Sequence, residues 1–193
     1  MGEGTRDRLI TAANDLFFED GYHAVGLDAI LARAGVTKTT FYNHFESKDA
    51  LIVAVLLERD RIEFGEWMEL MARRGGEDPQ ARILALFDIV EDWLADEGFK
   101  GCMFLKAQAE YPSPNDPVHK AAMVHVQNIS DALREQGRAA GCADPGGLAQ
   151  QLMIVLSGAI LTRTSTGLVD RARSARTTAG VLVDHHLGRA VAT

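Results

Sequence analysis

The chain has 193 residues, 47% of them hydrophobic and 24% charged, and carries a formal charge of −7. This composition excludes a collagen-like, low-complexity or disordered chain, and the length can bury a sizeable core in one domain or in a small domain joined to a larger one. The acidity taken alone argues against a nucleic-acid partner, because a basic surface is the usual electrostatic footprint of one.

In chain order, the spacing of Leu9, Ala12, Ala13, Leu16 and Phe17 predicts a first helix over about residues 5–19, ended by Gly21. A short helix follows over 27–34, with Leu27, Ile30 and Leu31 on its inner side. Gly35 can take the left-handed conformation that stops a helix, and Thr37 is a good N-cap for the next, Lys38 to Phe45. Two short helices joined by a brief turn containing glycine make a helix-turn-helix unit. On its second helix Phe41 and Phe45, four residues apart, face inward, leaving Lys38, Thr39, Tyr42, Asn43 and His44 to project outward. These side chains can bond base edges and phosphate oxygens, and free amides at a helix start add a weak preference for anions. A merely solvated helix is the commoner fate of such a pattern, so the character of the whole segment decides.

Beyond residue 46 the pattern predicts helices over 47–73, 79–97, about 101–110, 116–140, 145–166 and 174–189. The pairs Asp78-Pro79, Asp116-Pro117 and Asp144-Pro145 mark three of their starts. Aspartate accepts bonds from first-turn amides, and proline at the first position gives up an amide that lacks a partner anyway. Ser47 supplies another N-cap, and Tyr111 to Asn115, with two prolines, is a loop. No alternating β-branched run competes, so the expected fold class is all-α with about nine helices. Cys102 and Cys142 are too few for a disulfide framework, and no Cys/His spacing suits a metal. The opening Met1 to Gly4 is neither basic nor apolar, so no signal peptide is expected. The apolar run Leu148 to Leu161 is shorter than a bilayer span. The expected compartment is therefore the cytoplasm, with no membrane partner.

The stretch from Arg8 to Leu51 resembles the TetR family of bacterial transcriptional repressors. The resemblance is carried by Arg8-Leu9-Ile10-Thr11-Ala12-Ala13, Gly21-Tyr22, Leu27-Asp28-Ala29-Ile30 and above all the run from Ala34 to Leu51. It implies that Thr37, Lys38, Thr39 and Thr40 lie at the groove-facing start of a recognition helix. Tyr42 and His44 would grip phosphates, Lys48 would do so from the next helix, and Asn43 would contact phosphate or a base edge. One departure is Val25-Gly26, where the family usually carries two hydroxyl residues capping the second helix. The segment from Gly101 to Pro112 is similar to a pattern in one branch of these regulators.

The resemblance further implies a DNA-binding domain over residues 1–50 and an effector-binding and dimerisation domain over 51–193. Implied partners are a palindromic double-stranded operator, a small-molecule effector and a second copy of the chain. Candidates to line an apolar effector pocket are Phe64, Trp67, Met68, Met71, Phe87, Trp93, Met103, Phe104 and Met123, with Gln127 among the polar residues nearby. Gln108, Tyr111 and His125 are further polar candidates. Leu152, Val155, Leu156, Ala159 and Ile160 lie on a segment apolar nearly all round, suited to packing on its own domain and on a partner. Thr178, Val181, Leu182 and His185 offer a matching face on the last helix. There is no phosphate loop, nucleophile elbow, HExxH or dinucleotide fingerprint, so no enzyme, cofactor or metal is expected. Residues 1–50 hold five Lys+Arg against eight Asp+Glu, so the expected DNA-binding head is itself acidic.

Overall fold

A computed structural model describes residues 4–167 and 171–189, with the backbone alone of Arg171. The described residues form nine α-helices and no strand: α1 (Thr5–Asp20), α2 (Leu27–Ala34), α3 (Lys38–Tyr42), α4 (Lys48–Gly75), α5 (Pro79–Ala95), α6 (Met103–Glu110), α7 (Pro117–Ala139), α8 (Pro145–Thr166) and α9 (Arg171–His186).

Local chemistry sets most of these boundaries. Gly35 ends α2 at φ 65, ψ 40, which L side chains adopt at a cost. Thr37 caps α3 by accepting the Thr40 N–H at 3.2 Å. The three Asp-Pro pairs open α5, α7 and α8, their carboxylates accepting the amides of Gln80, Val118 and Gly147. Ser47 accepts from Ala50 at the start of α4. One boundary differs from the sequence expectation: α3 stops at Tyr42, not Phe45. Past it the His44 and Phe45 amides both donate to the Phe41 carbonyl, so the chain closes in a tighter turn that still points Phe45 inward.

The chain divides into two compact units. The first takes the residues up to Ile62 together with Cys102–His125; the second takes Glu63–Gly101 and the residues from Val126 onward. The core of the first unit joins Leu9, Ala13 and Phe17 of α1 with Ile30, Phe41, Leu51 and Leu56, and with Met103, Phe104 and Ala107 of α6. The helix-turn-helix head therefore shares one core with α6 and the start of α7.

In the second unit α9 packs on both α5 and α8. Ile83, Leu86, Phe87, Val90 and Leu94 of α5 and Leu148, Leu152 and Leu156 of α8 are buried. Around the rim, Arg176 pairs with Asp88, Arg74 with Asp92 at 2.7 Å and Arg173 with Glu91 at 3.6 Å. Arg163 donates to the Leu94 carbonyl at 2.9 Å and lies over the ring of Phe99. By length and composition α8, with 22 residues and a mean hydropathy of 1.3 over an 18-residue stretch, is long and apolar enough to cross a membrane, and a third of that stretch is buried. Ile154 and Leu161 are 68% and 52% exposed on it.

At the end of α4, a Cβ built on Gly75 would stand 2.5 Å from the Arg82 backbone, whereas one on Gly65 meets nothing within 4 Å. Gly75→Ala is expected to cost about 1–3 kcal/mol, and Gly65→Ala to gain about 0.5–1 kcal/mol. Urea denaturation of both variants checks this; shifts of the same sign would contradict the close approach of α4 and α5.

Candidate nucleic-acid interface

The exposed face of α3 is built outward from Phe41, which is fully buried and lies 5.8 Å, ring to ring, from buried Phe45. Tyr42 sets its ring edge-on to Phe41 at 5.2 Å and is 52% exposed, so its hydroxyl is held out on a braced ring. Lys38, Thr39, Asn43 and His44 are exposed around it. The hydroxyls of Thr37 and Thr40 lie 2.9 Å apart at the start of the helix. Gly26 begins α2 with no side-chain cap, as the Val25-Gly26 departure implies.

Lys48 is half-buried, and its ammonium donates to the Tyr22 and Val25 carbonyls at 2.9 Å each. It ties the α1–α2 connection to α4, a role the sequence does not signal. Arg33 reaches Asp15 at 3.6 Å, and Arg6 lies over Phe45 at 5.5 Å. Behind the connection, the Tyr22 hydroxyl donates to the Met103 carbonyl at 3.0 Å and that of Tyr111 to Asp49 at 3.1 Å. Burial, then the neighbouring Cys102, pushes the Tyr22 hydroxyl well above the usual tyrosine range. Burial and then the Asp49 carboxylate push Tyr111 in the same direction.

The effector-pocket candidates fall in both units. Trp67, Met71 and Phe87 are buried in the second, with Phe64, Met68 and Trp93 half-buried. There Trp67 meets Trp93 edge-on at 6.0 Å, and Phe99 lies 4.9 Å from Trp93. Met103 and Phe104 are buried in the first unit, where Phe104 stacks flat on His125 at 3.8 Å. His125 Nδ1 in turn lies 2.9 Å from Asp60 Oδ1, and both residues are buried. The amide nitrogen of Gln108 is buried without a hydrogen-bond partner. Met123 is exposed, and so is Gln127, which donates to Asp131. Gln127 also borders an open groove of about 700 Å³ between α7 and α8, with Arg134, Met153, Ile154 and Leu161. No group of three or more His, Cys, Asp and Glu among the described residues could hold a metal.

Of the dimer candidates, Leu152, Leu156, Ala159 and Ile160 are buried within the second unit, and Val155 and Leu182 are half-buried. Thr178, Val181 and His185 are exposed on α9. The outward face of α8 instead presents Ile154, Gly158 and Leu161.

A helix-turn-helix head presenting cations, hydroxyls and an amide, continued by a larger helical part, defines a DNA-binding transcriptional regulator. Residues 9–55 match the family described as bacterial regulatory proteins, tetR family, and residues 79–179, more than half of the chain, match the tetracyclin repressor-like C-terminal domain; the chain belongs to the tetR family. It is 29% identical to the transcriptional repressor NemR of Escherichia coli over 165 residues, 81% of this chain and 82% of NemR. With the transcriptional activator FasR of Mycolicibacterium smegmatis it shares 39% identity over 88 residues, 45% of this chain and 40% of FasR. The crystal structure of a TetR-family transcriptional regulator from Streptomyces coelicolor superposes with a TM-score of 0.84 at 31% identity, covering 94% of this chain and 95% of that one. Like its relatives, the chain is a regulator and not an enzyme. Regulators of this family bind DNA and act as dimers with small-molecule effectors.

The two raised tyrosines make stability depend on alkaline pH. Below about pH 10, the usual tyrosine value, both hydroxyls are protonated in the folded and the unfolded chain. Above it the unfolded chain ionises first, so folding stability falls as pH rises. The urea midpoint is expected to drop progressively from pH 9.5 to 11, and less steeply in Tyr22→Phe. An equal slope in wild type and variant would contradict the protonated, buried hydroxyl.

Proposed function

We propose that the chain is a dimeric, ligand-responsive repressor. Each protomer sets Lys38 to His44 in the major groove over one half of a palindromic operator, and a small, largely apolar effector releases it. One observation carries the reading: α3 is N-capped by Thr37 and anchored by Phe41, and it leaves Lys38, Thr39, Tyr42, Asn43 and His44 exposed together. Thr37, Lys38, Thr39 and Thr40 approach the bases, Tyr42 and His44 hold phosphates, and Asn43 serves either. Lys48 has three N–H donors, two of them directed at carbonyls, and gives the third to phosphate.

Residues 1–50 are the DNA-binding part and 51–193 the effector-binding and dimerisation part, acting in the cytoplasm. The dimer face runs along Ile154, Gly158 and Leu161 of α8 and Thr178, Val181 and His185 of α9, where apolar groups stand uncovered in the protomer. The effector binds in the second unit among Phe64, Trp67, Met68, Met71, Phe87 and Trp93, where Trp67 meets Trp93 edge-on. Its binding favours a spacing of the two heads that fits only one half-site, which couples the two equilibria. An activator acting from the same site is the second reading, prompted by the FasR match. The acidity of the head predicts weak non-specific binding and a shallow salt dependence.

Selection from random DNA, followed by footprinting beside the protein's own gene, tests this reading. Tyr42→Phe and Lys48→Ala are expected to weaken binding to all sequences. In Lys48→Ala, which withdraws a cation from phosphate, the salt slope becomes shallower by about 1. Thr39→Ala and Thr40→Ala change the preferred bases instead. Equal losses on every sequence in both groups would refute the assigned roles, and absence of any sequence-dependent binding would sink the reading itself. A reporter promoter separates the repressor, which lowers expression, from the activator. Ile154→Glu is expected to yield monomers by light scattering and to lose the operator; a dimer of wild-type strength would remove α8 from the interface.

A further inference from the structure

The connection between α1 and α2, residues 21–26, leads into the helix-turn-helix and has no helical ladder of its own. Glu110, the last residue of α6, holds it from 87 residues away in sequence. Its Oε1 accepts the Tyr22 N–H at 3.0 Å and its Oε2 accepts the His23 N–H at 2.6 Å. The contact is returned, since His23 Nε2 lies 3.0 Å from the Glu110 carbonyl and the His23 ring 4.7 Å from that of Tyr111. Gly21 stands at φ +86, and a Cβ there would come within 2.9 Å of Glu110 Oε1, so the carboxylate occupies space that only glycine leaves free. Lys48 holds the same connection by its carbonyls, and Lys106, one turn before Glu110, donates to the Phe18 carbonyl in the last turn of α1.

An anion on the amide side and a cation on the carbonyl side both match the polarity of the backbone they hold. Charge-assisted bonds of this kind are shorter and stronger than neutral ones. Every group in the arrangement lies in the first compact unit. A purely supporting contact would raise stability and leave the operator affinity of the folded protein alone. Here the contact falls on the segment from which α2 and α3 depart.

We propose that Glu110 is a positioning residue for operator binding, holding the Tyr22 and His23 amides so that α2 and α3 leave α1 at the angle the groove requires. The proposal rests on the DNA-binding reading above and adds α6 as the element that sets the head. Two variants test it. Glu110→Gln keeps the size but turns an N–H₂ donor toward one of the two backbone N–H groups. Glu110→Asp keeps the charge and withdraws both oxygens by one methylene.

Hydrogen exchange of the full-length variants is read at the Tyr22 and His23 amides, with residues 51–56 of α4 as the internal reference. Operator affinity is measured on the sequence that wild type selects from random DNA. Both variants are expected to exchange at Tyr22 and His23 about tenfold faster or more, with wild-type exchange in α4. Operator affinity is expected to fall by about tenfold or more, the loss corresponding to one charge-assisted bond. The salt slope stays unchanged, because every phosphate-binding group is still in place.

Unchanged exchange at Tyr22 and His23 would overturn the clamp. Faster exchange there with wild-type operator affinity would overturn the positioning role. Acceleration by the same factor in α4 would reduce Glu110 to general stabilisation and overturn it as well. Wild-type protein that selects no DNA sequence would remove the DNA-binding reading and this proposal together, and that failure is recognised because it appears before any variant is made.

Discussion

A helix of five residues completes barely one turn of hydrogen bonding, and the cost of nucleation keeps such a helix from persisting alone. The burial of Phe41 is therefore the contact on which the exposed face of α3 depends. It contributes about 2–3 kcal/mol of transfer free energy, and truncating such a residue to alanine typically costs about 3–5 kcal/mol. Thr37 closes one end of the helix and Phe45 fixes the turn beyond the other. Tyr42, braced edge-on against the Phe41 ring, inherits its direction from the same contact. The core that receives Phe41 is completed by Met103, Phe104 and Ala107, so α6 is as much a part of the head as α1.

The two units are held by different means. In the first, a buried Asp60–His125 pair sits under the ring of Phe104 amid apolar side chains. Removing one partner of such a pair costs more than the pair contributes, because the other is left charged or unsatisfied in a poor solvent for it. That asymmetry favours one arrangement of α4, α6 and α7 over its neighbours. The second unit keeps its ion pairs on the rim, where Arg74, Arg173 and Arg176 meet the acidic face of α5 half in solvent. Pairs in that setting contribute about 0–1 kcal/mol each, so its stability rests on the apolar packing of α5, α8 and α9.

Signals that act over a few residues were legible in the sequence. Asp-Pro pairs, Gly35 before Thr37, and the spacing of Phe41 and Phe45 each carry their structural meaning locally, and the helices they bound appear within a few residues of where the pattern puts them. The end of α3 was less legible, because Phe45 points inward whether the helix continues or tightens into a turn. Along α8, apolar residues occur on every side, so periodicity cannot tell which of them face the protomer core. Leu152, Leu156, Ala159 and Ile160 went inward, while Ile154 and Leu161 stayed out. Contacts spanning long stretches of chain left no local trace. Asp60 and Glu110 look like ordinary charges on helix surfaces, and the hold of Lys48 on the Tyr22 and Val25 carbonyls is equally unmarked. The joining of α6 to the N-terminal head is invisible for the same reason.

The placement of the aromatic residues has a consequence for spectroscopy. Both tryptophans, Trp67 and Trp93, lie in the second unit, 6.0 Å apart, while all three tyrosines, Tyr22, Tyr42 and Tyr111, lie in the first. Emission excited at the red edge of the ultraviolet band thus arises from the second unit alone, and the tyrosine fine structure arises from the first. Each half of the molecule carries its own native chromophore, with no label introduced. Tyrosine and tryptophan signals therefore report separately on the first and the second unit.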